Sequence, residues 1–354
     1  MNETATDRPA AAMFQGAQSG SYHGAETPLA FTDARAELQA LLSSFGVFDL
    51  GWRTKITVTG KDRVRWLNGM ITNNIRDLAV NRGNYSFALN HQGRIIADLY
   101  TYNFGDHFVI DTDRAQSETI LKTLGRYIIM DDVKLVDAGQ TLTALGVCGP
   151  KAQAALAALV NIAELEPAQV AQEKSGAFEI TVVRGPAEKP GWYEIWTHPE
   201  NLQAVWEMLT SAGAQPAGAN ALEFWRVLRG IPQYGQDIRE RDLPQETEQA
   251  QALNFTKGCY IGQEIVERIR SRGQVHRKLS GFEFTDGLIA PGKYDSDGRT
   301  LTEITTALEI PLPGGTKSLG LGYFRRESVT AGSEIDLNGK KAKVVDLPFA
   351  ISSN

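Results

Sequence analysis

Cysteine is nearly absent from this chain: 354 residues hold only Cys148 and Cys259. Two thiols cannot build a disulfide framework, and a reducing compartment is the simpler expectation. The five histidines, His23, His91, His107, His198 and His276, show no metal-ligand spacing with one another or with a cysteine, so no metal site is expected. No run approaches the roughly 18 uninterrupted apolar residues of a membrane helix. The first 28 residues lack a basic start and an apolar core, which argues against a secretory signal, and Glu3, Asp7 and Glu26 suit an Arg-rich transit peptide poorly. A disordered leader over 1–28 is therefore expected, on a soluble cytoplasmic protein with no membrane partner. An excess of positive charge is missing as well, and the formal charge of −6 argues against a nucleic-acid partner.

What is present is an ordinary globular composition, 42% hydrophobic and 22% charged, long enough for two or three domains. Apolar spacing predicts helices over 33–42, 113–127, 151–159, 199–210 and 221–228, with Asp62 as N-cap of another reaching residue 68. Alternating runs predict strands over 53–58, 84–89, 94–104, 107–111, 133–137, 142–147, 178–184 and 192–197. Asn90-His91-Gln92-Gly93 joins two of them as a hairpin turn. Helices interspersed with antiparallel strands indicate an α+β fold rather than a doubly wound parallel sheet. After His276 the texture changes to short strands (278–284, 320–324, 333–337, 341–345) between Gly-containing turns, as in a small antiparallel β-barrel. The expected organisation is two mixed α/β sub-domains, 29–140 and 141–277, followed by a barrel over 278–354.

The segment richest in chemistry is Lys257-Gly258-Cys259-Tyr260-Ile261-Gly262-Gln263-Glu264. Glycines on both sides of Cys259 allow a sharp turn and a close approach to a ligand. A neighbouring cation such as Lys257 favours a thiolate, the form in which a cysteine attacks or ligates. The plain alternative is a small buried hydrophobe, but Lys257, Gln263, Glu264 and the arginines at 268, 270 and 272 suit a dry core poorly. Cys148 follows an apolar strand and reads as buried. The basic run over 267–273, which includes Arg270, is either a solvated strand or loop face or an anion-holding patch.

The string Lys257-Gly258-Cys259 through Gly262-Gln263-Glu264 resembles the K-G-C-x-x-G-Q-E signature of the YgfZ family, a branch of the aminomethyltransferase superfamily. Other segments resemble that superfamily in the same order: Gly46-Val47-Phe48-Asp49, Val58-Thr59-Gly60-Lys61-Asp62, the hairpin from Gly83 and Tyr85 to Asp98-Leu99, Cys148-Gly149-Pro150-Lys151-Ala152, Arg226 to Gly230 with Tyr234-Gly235, and Gly320-Leu321-Gly322-Tyr323. Two departures stand out. Ala97 occupies the first position of a paired aspartate, leaving Asp98, and Gly51-Trp52-Arg53 replaces an S-H-M segment.

The resemblance implies a folate-binding aminomethyltransferase-like fold, in which three domains surround a central folate cavity. It also implies a tetrahydrofolate-binding protein, monomeric, that assists assembly or repair of iron–sulfur clusters in client enzymes or with assembly proteins. Its reactive group would be Cys259, helped by Lys257, Gln263, Glu264 and Asp98. Tyr85, Asp98, Arg226, Arg270 and either Glu188 or Glu194 would hold the folate. Each has a plain alternative: Asp98 as a cap for hairpin amides, Tyr85 as packing, Arg226 as the partner of Glu223 in a surface ion pair. The alternative function is tetrahydrofolate-dependent aminomethyl transfer or demethylation of a methylamine. Whether the chain is an enzyme stays open, with an accessory role favoured.

Overall fold

In the computed structural model the described residues are 13–350, apart from 15, 161–163, 176–177, 274 and 297–298. They form two compact units that interleave in sequence. One comprises 1–55, 113–115 and 138–223, the other 56–112, 116–137 and 224–354. The fold is mixed α/β with several sheets and a curled C-terminal antiparallel sheet, as the α+β expectation has it. Its units differ from the consecutive sub-domains 29–140 and 141–277, because the chain leaves the first unit after Lys55 and returns to it at Ala138. The barrel-forming residues pack into the second unit.

In the first unit a six-stranded sheet runs in the order Val170–Ser175, Phe178–Arg184, Trp192–Thr197, Thr143–Cys148, Gly46–Asp49, Gln215–Pro216. Only the last pair is parallel. Strand alternation sorts its side chains onto two faces. Val47, Leu145, Val147, Val182, Tyr193 and Ile195 face the helices Ala152–Leu159 and Leu202–Ser211, which contribute Leu156, Val205 and Leu209 to the same core. The opposite face carries Phe48, Trp192, Glu194 and Trp196. Gly146 is required there, since a Cβ would run into the Phe48 ring. Within the span expected to be a disordered leader, Gln18–Tyr22 and Ala25–Ala30 form an antiparallel hairpin, while 1–12 and 15 lie outside the described residues. Thr27 is buried, which accounts for order where polar composition suggested none.

The helix Ala34–Ser43 starts where expected, with the Asp33 carboxylate accepting from the Arg35 amide at 3.2 Å. Glu37 on this helix is 2% exposed and accepts from the amides of Phe31 (2.7 Å), Thr32 (2.6 Å) and Gly218 (2.8 Å).

In the second unit a five-stranded sheet has the order Gly83–Leu89, Ile95–Asn103, Phe108–Asp113, Arg53–Thr59, Lys134–Asp137. One face packs Ala88, Ala97, Leu99, Phe108 and Ile110 against Trp66 and Leu67 of the helix Arg63–Met70 and against Ile120 and Leu124. The other packs Tyr85, Phe87, Leu89 and Ile95 against Ile238, Ala252, Tyr260 and Val266. Five strands between Gly292 and Val345, together with Arg277–Phe284, make the six-stranded antiparallel C-terminal sheet. Its edge strands, Gly292–Ser296 and Glu334–Leu337, are not paired with each other, so the barrel is an open, curled one. A long strand, Arg299–Leu312, was not legible from sequence because two register shifts interrupt its partner ladders.

Glu37→Ala removes the carboxylate that accepts from three amides, each costly to leave buried without a partner. The expected loss is on the order of 3 kcal/mol, read as a lower urea midpoint in equilibrium unfolding. An unchanged midpoint would show that the clamp contributes nothing.

Candidate functional site

The hairpin of the second unit brings two expected site residues together. Tyr85 lies opposite Tyr100, and Phe87 opposite Asp98, so Tyr85 and Asp98 are diagonal neighbours on one face. The Tyr85 hydroxyl donates to Asp98 Oδ2 at 2.8 Å, and Gln116 Nε2 donates to Oδ1 at 2.8 Å. Gln116 also accepts from the Asp98 amide at 3.0 Å, which fixes the carboxylate from both ends. Sequence reasoning missed Gln116, since nothing local links a residue 18 positions away to the hairpin. Tyr85 is buried and packs on Phe87 and Tyr100, so the packing alternative and the hydrogen-bonding one hold together. Ala97 points to the other face, into the apolar core. A carboxylate at position 97 would be desolvated there without a charged partner in that cluster.

Cys259 is exposed and Cys148 fully buried. Lys257, however, does not stand beside the thiol as an exposed cation. Its ammonium is buried and donates to three backbone carbonyls, of Asn68 (2.6 Å), Ile71 (2.7 Å) and Asn73 (2.6 Å). These oxygens close the C-terminal end of the helix Arg63–Met70, where carbonyls lack intrahelical partners and the dipole favours a cation. Burial pulls the Lys257 amine down to about 7. The three carbonyls can only accept, and they match the three N–H donors of the charged form. We therefore read the group as an ammonium despite its burial. Its role is anchorage of the turn, a correction to the expected activation of Cys259.

Only one of the flanking glycines is sterically required. Gly262 has φ +81°, and a Cβ there would approach the Asn90 carbonyl oxygen to 2.6 Å, whereas Gly258 faces open space. From Gly262 the chain enters the helix Gln263–Arg272. This replaces the strand or loop face expected over 267–273. Arginines at every second position imitate a strand, but Ile265, Val266 and Ile269 have helical spacing, and Val266 is buried. Gln263 is half-buried and accepts from the Tyr260 amide at 3.3 Å, so it holds the turn. Glu264 is exposed in the first helical turn. Arg270 is exposed, 3.5 Å from Glu267 and over the Phe255 ring at 4.4 Å.

Arg226 is buried rather than at the surface. Its guanidinium is buried and donates to Asp237 at 2.8 Å, to the Ile231 carbonyl at 3.1 Å and to Thr306 at 3.3 Å. Asp237 is completely buried and also accepts from Thr305 and Thr306. The network ties the end of the helix Ala219–Leu228 to the long C-terminal strand, a packing duty invisible in local sequence.

In the first unit the two candidate glutamates separate cleanly. Glu188 is exposed in a turn. Glu194 is 6% exposed and accepts from the indole nitrogens of Trp192 (3.3 Å) and Trp196 (2.8 Å). Lys55, buried as well, lies 3.9 Å from Glu194 and 4.8 Å from the Trp196 ring centre. A carboxylate oriented by two indoles and an ammonium is pre-organised to meet further N–H donors. Lys55 carried no signal in the sequence, where it is one of many lysines on alternating strands.

Two measurements follow. Lys257→Met should cost about 3–5 kcal/mol, because it strands buried polar groups, and should lower the melting temperature sharply. A melting temperature within error of wild type would refute the anchoring role. In the native protein iodoacetamide should label Cys259, with Cys148 unlabelled until the chain is denatured. Equal native labelling would contradict the burial of Cys148.

Residues 10–257 match the family described as the GCVT N-terminal domain. The aminomethyltransferase of Herpetosiphon aurantiacus is 28% identical over 348 residues, covering 94% of this chain and 94% of its own. The aminomethyltransferase of Geobacillus kaustophilus is 28% identical over 350 residues, covering 94% and 95%. The crystal structure of glycine cleavage system aminomethyltransferase T from Bartonella henselae is similar with a TM-score of 0.83 at 21% identity, over 95% of this chain and 94% of that one, a likeness of fold. The hairpin, the Glu194 strand and the anchored turn at Cys259 are thus carried on a shared fold, and the chain belongs to the aminomethyltransferase family that the GCVT N-terminal domain defines.

Proposed function

We propose that this chain is a tetrahydrofolate-binding protein that assists assembly or repair of iron–sulfur clusters in client enzymes, with the Cys259 thiol as its working group. The observation that carries the proposal is the contrast between its two cysteines. Cys259 is exposed on a turn held by Lys257, Gln263 and Gly262, while Cys148 is in the core. A lone thiol cannot hold a cluster by itself, since clusters usually take four protein ligands. It can supply one ligand in passing or attack a disulfide sulfur. The motif K-G-C-x-x-G-Q-E favours the YgfZ branch, and the chain would act in the cytoplasm as a monomer.

The folate part of the proposal rests on two candidate contacts, each taken by itself: Asp98 with Tyr85 and Gln116 in the second unit, and Glu194 with its two indoles in the first. Carboxylates fixed by such partners suit the donor-rich edge of a reduced pterin. Arg226 and Arg270 are committed to Asp237 and Glu267 and would act indirectly, as would Glu188.

A second reading is tetrahydrofolate-dependent aminomethyl transfer, or a related one-carbon transfer from a methylamine. The names of the curated relatives favour it more directly than they favour the first. Asp98, held by Tyr85, would then orient the amine or assist as base. Ala97, buried in apolar surroundings, weighs against it.

Calorimetry separates these readings from each other and from no folate binding. Tetrahydrofolate should bind with micromolar affinity, on the order of −8 kcal/mol, and raise the melting temperature. Glu194→Gln should weaken binding while leaving the apo melting temperature close to wild type. The same preparation should give no turnover with an aminomethyl-loaded lipoyl carrier protein. No heat at saturating tetrahydrofolate would remove the folate claim, and robust turnover would replace the first reading by the second.

A further inference from the structure

In the first unit Glu194 sits in a frame of uncharged aromatic rings. The strand Trp192–Thr197 turns Trp192, Glu194 and Trp196 to one face of its sheet. Across the ladder Glu194 lies opposite Gly146, and Gly146 lies opposite Phe48. With no side chain at 146 the Phe48 ring takes that place, its centre 4.8 Å from the Trp192 ring. Trp192 donates to Oε1 and Trp196 to Oε2, so each carboxylate oxygen accepts one indole N–H. Such surroundings, at 6% exposure, leave little water to solvate an anion.

Lys55 supplies the charge that this frame lacks. It is 1% exposed, and its ammonium lies 3.9 Å from Glu194 Oε2 and 4.8 Å from the centre of the Trp196 ring. The Ala138 amide donates to the Lys55 carbonyl at 2.7 Å, which fixes the backbone that carries the side chain. A buried carboxylate without a cation is strongly destabilising, and so is a buried ammonium without an acid. Yet 3.9 Å exceeds the length of a charge-assisted hydrogen bond, about 2.7–2.9 Å. Lys55 therefore offsets the charge of Glu194 without taking up its accepting capacity, and both oxygens keep a lone pair for a ligand.

A lone carboxylate and a compensated one select different ligands. Both accept a pair of parallel N–H groups from the edge of a heterocycle. A lone carboxylate also favours positive charge on that ring, so it draws a diamino heterocycle in its protonated form. A compensated one has no such preference, and the ammonium beside it repels an incoming cation. We propose that Lys55 makes the Glu194 site selective for the neutral 2-amino-4-oxo edge of a pterin and sets it against protonated 2,4-diamino heterocycles. Lys55 acts through Glu194 and is a positioning residue. The selectivity rests on the folate reading above and goes beyond it by naming the form of ring that the site accepts.

The test is calorimetry on the full chain with tetrahydrofolate and with its 2,4-diamino analogue, which differ only at the ring edge. Each titration is run in two buffers of different ionisation heat, at a pH where the diamino ring is mostly neutral in solution, so that proton uptake is read directly. Wild type should bind tetrahydrofolate on the order of tenfold more tightly than the analogue, with no proton uptake for either. Lys55→Met should reverse the preference, and the analogue should now bind with uptake of a proton. Lys55→Arg, which keeps the charge, should retain the wild-type preference. Equal weakening of both ligands in Lys55→Met, without proton uptake, would show a merely structural lysine and overturn the inference. A wild type that prefers the analogue and takes up a proton with it would overturn the inference even if neither variant folds, and would leave the folate reading intact. Binding of neither ligand by wild type would overturn both.

Discussion

Burying an amine deprives it of water, and the fold tolerates this at Lys257 only because three carbonyls replace the lost solvent. Those carbonyls lie at the end of a short helix, Arg63–Met70, whose own last turn holds no basic residue. The side chain that completes this helix end comes from about 190 positions away. The turn at 258–262 is pressed against the hairpin so closely that only glycine fits at 262. The helix Gln263–Arg272 then starts where Val266 can enter the cluster containing Tyr85 and Phe87. The exposed thiol and the Tyr85–Asp98 pair are therefore borne by one packed block.

This arrangement explains which parts of the chain were legible in its sequence. Elements with one clean period were readable: Trp192–Thr197 and Phe178–Arg184 sit where alternation puts them, and Asp33 caps the helix it announces. The segment over 267–273 was misread because charge and apolar residues carried different periods, and burial follows the apolar one. The adjacency of Tyr85 and Asp98 was legible because hairpin register brings them together. The contacts of Gln116, Lys55 and Asp237 were not, because their partners are set by tertiary packing. The duty of Lys257 was inverted for the same reason: adjacency in sequence suggested an electrostatic effect on Cys259, but the long side chain reaches inward.

Two positions that the sequence singles out also become physical statements. At position 97 the side chain faces an apolar core, so alanine is the compatible residue and the opposite face keeps the only carboxylate of the pair. At position 259 the chain exposes a thiol where Gly258 leaves open space around it. Position 97 carries no charge into the core, and position 259 presents a soft nucleophile in the same unit.

The central claim is that the Cys259 thiol does the work and the block behind it only presents it. The most direct measurement is the activity of iron–sulfur enzymes in cells lacking this protein, restored by wild type or by Cys259→Ser at equal expression and equal melting temperature. Recovery with wild type and none with Cys259→Ser is the predicted result. Equal recovery by both would contradict the account.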